Sequence, residues 1–191
     1  MRTAAIILAA GVSTRFGSPK QEARIDGRRM VDIIAATARA TGLDPVLAVV
    51  PAEFRVAAGV VPVVNAEPEA GISRSLQLGV RALPDDVAAA VVLLGDEPLV
   101  EPEVLLDVIA AGEAGGRVVA TRAGARIGPP VLLLREAFDL VERPVGDEGL
   151  SRFLRASPDL VTVDLPRPPL DIDTRADLDA LLESWPGGPD R

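Results

Sequence analysis

The chain contains no cysteine and no histidine, and only one lysine, Lys20, against nineteen arginines. Without cysteine there are no disulfides, no iron-sulfur clusters and no thiolate nucleophile; without histidine there is no serine-histidine triad. Any metal must be held by oxygen ligands, which favours Mg²⁺ or Mn²⁺ over zinc. Aromatic residues make up 3% of the chain. The core is therefore built from Ala, Val, Leu and Ile, a composition that suits buried parallel strands covered by helices. The formal net charge is -8 with no basic stripe, which argues against nucleic acid as a partner. No apolar run approaches the ~18 residues of a membrane span, so no membrane partner is expected. The apolar stretch from Thr3 to Ala10 superficially resembles a signal peptide, but it runs directly into the lysine-bearing loop, which cleavage would sever from its strand. A soluble, cytoplasmic protein is the expectation.

With 191 residues, 48% of them hydrophobic, the chain fits one domain that buries roughly 70% of its unfolded surface. That domain is expected over residues 1–184, with residues 185–191 as a flexible tail. Apolar, β-branched runs alternate with amphipathic segments: Thr3 to Leu8, Val31 to Ala40, Val46 to Val50, Val61 to Val64, Ile72 to Ala82, Ala88 to Leu94 and Val104 to Ala111. The strand-like runs are continuously apolar, as in strands buried on both faces. The expected fold class is α/β, a three-layer α/β/α sandwich around a doubly wound, mostly parallel sheet. Beyond Gly112 the pieces shorten, and Gly128-Pro129-Pro130 and Pro166 to Pro169 read as separators within a more irregular half.

Ligands in open α/β sheets sit beyond the carboxyl ends of strands, which directs attention to the loop after Leu8. Its residues run Leu8-Ala9-Ala10-Gly11-Val12-Ser13-Thr14-Arg15-Phe16-Gly17-Ser18-Pro19-Lys20. Two glycines let the backbone approach a ligand while its N-H groups converge on an anion, and Arg15 and Lys20 add charge. In an arginine-rich chain a single ammonium is suited to meet a phosphate as a point charge, although compositional drift would also leave one lysine. The loop matches neither the Walker A pattern nor the dinucleotide GxGxxG pattern.

Three acids complete the chemistry. Asp96 follows the most apolar strand, where its carboxylate emerges at the sheet edge that bears the loop; a turn aspartate ahead of Pro98 would occupy the same place. Asp171 and Asp173 stand two apart, so an extended segment points both to one side, and with Asp96 they form a potential oxygen cage for divalent ions. Thr174 and Asp177 are accounted for separately, as a capping box for the following helix. Asn65 ends a strand, and Gly71 with Ser73 opens a helix whose N-H groups suit an anion, sugar or base; Ser73 would equally serve as an N-cap.

The pattern LAAGxSxRxGxPK resembles the signature loop of the MobA-like nucleotidyltransferases, and its paired alanines make it most similar to the molybdenum-cofactor cytidylyltransferases. The resemblance continues through Asn65 with Gly71-Ile72-Ser73-Arg74-Ser75-Leu76, through Gly95-Asp96-Glu97-Pro98, and through Asp171-Ile172-Asp173-Thr174. It implies a Rossmann-like fold of the nucleotide-diphospho-sugar-transferase type, with transfer of an NMP, CMP from CTP for preference, onto a phosphorylated acceptor such as the molybdopterin cofactor. Pyrophosphate would leave. The resemblance further implies nucleotide binding by Leu8, Ala9, Ala10, Gly11, Ser13, Arg15, Lys20, Asn65, Gly71 and Ser73. Lys20, Arg15 and Asp96 would act in catalysis, with Mg²⁺ or Mn²⁺ on Asp96, Asp171 and Asp173. Guanylyl relatives that act on a sugar phosphate or phospho-acid, and a nucleotide-binding protein without turnover, are the alternatives. Three departures fall outside the first loop: Gly128-Pro129-Pro130 stands where the cytidylyltransferases carry Gly-His-Pro, Gly146 to Arg152 differs from Gly-Asp-x-Gly-Ala-Arg, and Glu97 replaces a usual glutamine.

Overall fold

Every residue of the first strand, β1 (Thr3–Leu8), is buried. Ala4, Ile6 and Leu8 face one hydrophobic cluster and Ala5 and Ile7 the other, so a strand covered on both sides has no polar face to alternate with. The computed structural model describes residues 1–11, 16, 20–142 and 149–184. After β1 the chain forms a short hairpin, β2 (Arg24–Ile25) and β3 (Arg28–Arg29), then α1 (Met30–Ala40), β4 (Val46–Val50), β5 (Val61–Val64), α2 (Ile72–Arg81) and β6 (Ala89–Leu94). The second half continues with α3 (Pro102–Glu113), β7 (Val118–Ala123), β8 (Arg126–Leu134), α4 (Phe138–Val141), α5 (Gly149–Ala156), β9 (Leu160–Asp164) and α6 (Arg175–Ser184).

The main sheet has seven strands in the order β5-β4-β1-β6-β8-β7-β9. Its pairs are parallel except at β8, which runs antiparallel to both β6 and β7. Residues of α2, α4 and α5 pack on one face, and residues of α1 and α3 on the other. The mostly parallel three-layer sandwich expected from the sequence is thus the fold observed. A third, smaller cluster around Ile25, Met30, Ile172 and Leu178 ties α6 and the segment before it to the beginning of α1.

One element differs from the sequence reading. Gly128-Pro129-Pro130 does not separate apolar pieces; β8 runs straight through it for 9 residues. Prolines lack the N-H that a regular ladder requires, and the β7–β8 register shifts between Ala120 and Thr121 at this point. Buried Thr121 compensates, its Oγ1 lying 2.9 and 2.8 Å from the carbonyl oxygens of Gly128 and Pro129.

Candidate active site

The carboxyl ends of β1 and β6 lie side by side, and their pairing continues past the strands. Gly95 N-H donates to Leu8 O at 2.9 Å, while Ala9 N-H donates to Val49 O at 2.8 Å. A Cβ on Gly95 would come within 2.8 Å of Ala9 Cβ and 3.1 Å of Leu8 O, so glycine is what allows the two loops to leave the sheet in contact. Asp96 follows at once. Its carbonyl accepts the N-H of Ile172 at 2.9 Å, which brings the Asp171–Asp173 segment alongside.

Ile172 is fully buried in the third cluster. In an extended stretch the residues on either side of it point the opposite way, which directs both Asp171 and Asp173 toward Asp96. Carboxylate oxygens from the three aspartates lie within 4.8 Å of one another, an arrangement able to hold a metal ion. The Thr174–Asp177 capping box forms as well: Asp177 N-H donates to Thr174 Oγ1 at 3.2 Å, and the N-H groups of Asp173 and Thr174 donate to Asp177 Oδ2 at 3.0 and 2.7 Å. Asp177 thereby fixes the backbone of Asp173.

Lys20 reaches into this cluster. Its Nζ lies 3.0 Å from Asp96 Oδ2, 2.9 Å from Asp173 Oδ1 and 3.8 Å from Asp171 Oδ1. Burial pushes the ammonium pKa down, but Asp173 and Asp96 outweigh it and the net displacement is upward, so Lys20 stays charged. Among the described residues three carboxylates gather around one ammonium, so acid outnumbers base there. Asp171 registers the deficit: burial first, then the charges of Asp96 and Asp173, raise its pKa, and its Oδ1 is buried with no hydrogen-bond partner. A hard divalent cation fits such a site, because it would supply both the missing charge and a partner for that oxygen.

A cavity of about 260 Å³ opens beside the cluster, lined among others by Ala9, Gly11, Lys20, Gly71, Ile72 and Asp96. Leu8, Ala10, Ser75 and Gly95 also border it. The space a Cβ would take on Gly11 is empty to 4 Å, leaving backbone exposed to the cavity. Gly71, at φ 85°, turns the chain into α2 and is its N-cap, so the amino end of that helix opens on the cavity. Ser73 is therefore not the cap, and it does not line the cavity. Ser75 does both the lining and the anchoring, since its Oγ accepts from Nδ2 of buried Asn65 at 3.0 Å. Asn65 Oδ1 in turn accepts the Glu67 N-H at 2.9 Å, so Asn65 shapes the wall from behind. Ser13, Arg15 and the segment 146–148 lie outside the described residues.

The sequence reading missed the pair Glu97–Arg126. Glu97 is 3% exposed, and its Oε1 accepts from Arg126 Nη2 at 2.7 Å. Burial raises the Glu97 pKa to about 7, with Arg126 opposing the rise and Asp96 and Asp171 adding to it. A glutamate directly after Asp96 signals a need for a cation, but nothing in the sequence selects Arg126 among nineteen arginines.

A glycine-bearing strand-to-loop junction, a lysine and three converging aspartates thus meet at the carboxyl edge of the sheet, where open α/β folds bind their ligands. The MobA-like NTP transferase domain model matches residues 5–162, and the chain belongs to that family. Phosphoenolpyruvate guanylyltransferase of Nocardia farcinica is 31% identical over 186 residues, covering 91% of this chain and 79% of that protein. The bifunctional protein GlmU of Micrococcus luteus is 33% identical over 158 residues; the match takes in 74% of this chain but only 32% of the length of GlmU. Among solved structures, Rv0371c of Mycobacterium tuberculosis H37Rv superposes with a TM-score of 0.82 at 26% identity, covering 96% of this chain and 98% of the other. A structure of Rv0371c in complex with manganese superposes at 0.78, with 25% identity over 96% of this chain and 100% of the other. Among the described residues no helix is long and apolar enough to cross a membrane.

Proposed function

We propose that the chain transfers a nucleoside monophosphate, CMP from CTP for preference, to the phosphate of a small acceptor such as the molybdopterin cofactor, releasing pyrophosphate. The observation that carries this reading is the contact of Lys20 with Asp96, Asp171 and Asp173 at the mouth of a cavity walled by backbone. The triphosphate lies against Leu8 to Gly11 and the amino end of α2, whose N-H groups meet its oxygens. Lys20 moves its contacts from the carboxylates to the β- and γ-phosphates, and Arg15 joins it to stabilise the departing pyrophosphate. An acceptor phosphate oxygen then attacks the α-phosphorus in line; a new P-O-P bond forms as the bond to the β-phosphate oxygen breaks. The monoester is already ionised at neutral pH, so no general base is needed, in keeping with the absence of histidine. Asp96, Asp171 and Asp173 would hold Mg²⁺ or Mn²⁺, which when bound neutralises phosphate charge in the transition state. The manganese complex of Rv0371c supports that assignment.

The reading is tested by thermal stabilisation with CTP and GTP, with and without Mg²⁺, followed by pyrophosphate release across a panel of NTPs and acceptors. A ligand at 100 times its Kd adds about 2.7 kcal/mol to the folded state. Stabilisation by CTP that requires Mg²⁺ and disappears in Asp96→Asn is the expected result; Mg²⁺-independent binding contradicts the role of the triad. A second reading is guanylyl transfer to a phospho-acid, favoured by the 31% identity to the Nocardia guanylyltransferase over 91% of this chain. A larger response to GTP, with turnover on phosphoenolpyruvate, would select it.

A further inference from the structure

The helix α6 is held differently from the other five. None of its described residues belongs to either cluster that flanks the sheet. It buries two side chains, Leu178 and Leu181, and both enter the third cluster together with Ile172, Ala23 and Phe16. That cluster also supports the charged groups of the site. Ala23 N-H donates to Lys20 O at 3.0 Å, which ties the lysine-bearing turn to it, and Ile172 ties in the segment that carries Asp171 and Asp173. Arg175, the first residue of α6, places its guanidinium carbon 5.7 Å from the centre of the Phe16 ring. Asp177, one turn further on, holds the N-H of Asp173. The ammonium and one of its acid partners thus share a small apolar core that α6 completes.

Docking of α6 draws Asp171 and Asp173 against Asp96, so like charges work against it, and Lys20 offsets part of their repulsion. A divalent cation among the three carboxylates would turn that repulsion into attraction. Two leucines and one isoleucine hold the segment in place, and elements with few buried apolar side chains open at free energies below that of global unfolding. We propose that α6 is a clamp that docks and releases while the seven-stranded sheet stays folded, that its docking assembles the site by bringing Asp173 to Lys20 and Asp96, and that a divalent cation at the triad holds it shut. Leu178 and Leu181 are therefore positioning residues, acting through Asp173. The coupling is reciprocal: whatever loosens the clamp weakens the cation, and the cation tightens the clamp. This inference rests on the reading of the triad as a metal site.

The test is amide hydrogen exchange of the full chain, read by mass spectrometry. Mn²⁺ is first titrated with CTP present and absent, and exchange is then followed without metal and at about ten times the Kd so found. In the metal-free protein the amides of α6 are expected to exchange faster than those of β6. With Mn²⁺ they should slow about 10-fold, because an opening that destroys the site is suppressed by the ratio of metal concentration to Kd. Exchange of α6 at the rate of β6, or fast exchange that Mn²⁺ leaves unchanged, overturns the inference. Replacing both Leu178→Ala and Leu181→Ala releases the clamp: β6 should stay protected while the Kd for Mn²⁺ rises about 10-fold or more. Leu181→Met, which conserves volume, should keep that Kd within about twofold of wild type. An unchanged Kd in the double variant overturns the inference as well; if that variant does not fold, exchange of the wild type decides alone. Failure of Mn²⁺ to bind the wild type in either titration would instead overturn the metal reading of the triad.

Discussion

The Lys20 ammonium sits 2.9 Å from Asp173 Oδ1, across 153 positions of sequence, and closes the acid cluster from the side of the first loop. With Asp96 at 3.0 Å as well, lysine occupies the place where a cation is needed. Its removal therefore has two effects of opposite sign. Lys20→Met should lower turnover by about 100-fold or more, the usual scale for one electrostatic contact in the transition state. It should also strengthen the binding of free Mn²⁺ in the absence of nucleotide, because the triad loses its internal counter-charge. Steady-state kinetics and calorimetric Mn²⁺ titration check the two halves; near-normal turnover or weaker Mn²⁺ binding would contradict the arrangement.

Gly95→Ala places a methyl group 2.8 Å from Ala9 Cβ and 3.1 Å from Leu8 O, with backbone on one side that has little room to yield. Overpacking of this kind costs about 1–3 kcal/mol. The larger consequence is expected at Asp96, the next residue, so the Mg²⁺ concentration for half-maximal activity should rise. Urea unfolding measures the first effect and metal titration of activity the second.

Asn65→Ala leaves the Glu67 N-H without its acceptor and Ser75 Oγ without its donor, at a site where Asn65 is 1% exposed. A buried polar group left unpaired costs about 1–3 kcal/mol. Because Ser75 lines the cavity, KM for the nucleotide should rise more than kcat falls. A loss confined to kcat would show that this wall does not touch the nucleotide.

The exposed pair between Arg81 and Glu142 joins α2 to the end of α4, with Arg81 Nε 2.8 Å from Glu142 Oε1. The hydrogen bond from Arg81 lowers the Glu142 pKa from its ordinary 4.5. A carboxylate lowered in the folded state stabilises above its unfolded pKa, and that contribution is lost as pH falls through the folded value. Exposed pairs of this kind contribute little after solvent screening. Glu142→Gln should accordingly lower Tm slightly at pH 7, and the difference from wild type should shrink as the pH falls below the ordinary 4.5 and vanish below the lowered folded value. A gap that persists after the carboxylate is fully protonated would point to packing instead.

Much of the fold was legible because β1, β4 and β6 are buried on both faces and so read as unbroken apolar runs. Asp171 and Asp173 were legible for a related reason, since strand alternation around buried Ile172 places both on one side. What escaped was long-range. The passage of β8 through Pro129 and Pro130 depends on Thr121, seven and more residues away. Arg126 became meaningful only once the antiparallel course of β8 brought it to Glu97, and Ser75 only once Asn65 lay beneath it. Proposals for Ser13 and Arg15 rest on the sequence alone.

The reversed direction of β8 bears on how this scaffold changes over evolutionary time. A parallel strand offers its carboxyl end to the catalytic edge, but β8 offers its beginning, so a turn of two residues, Gly124 and Ala125, delivers Arg126 there. That turn belongs to the β7–β8 hairpin and lies apart in sequence from the segments that carry Gly11, Asn65 and Asp96. Alterations in its length or sequence would shift Arg126, and with it the partner of buried Glu97, without changing any of the parallel strands.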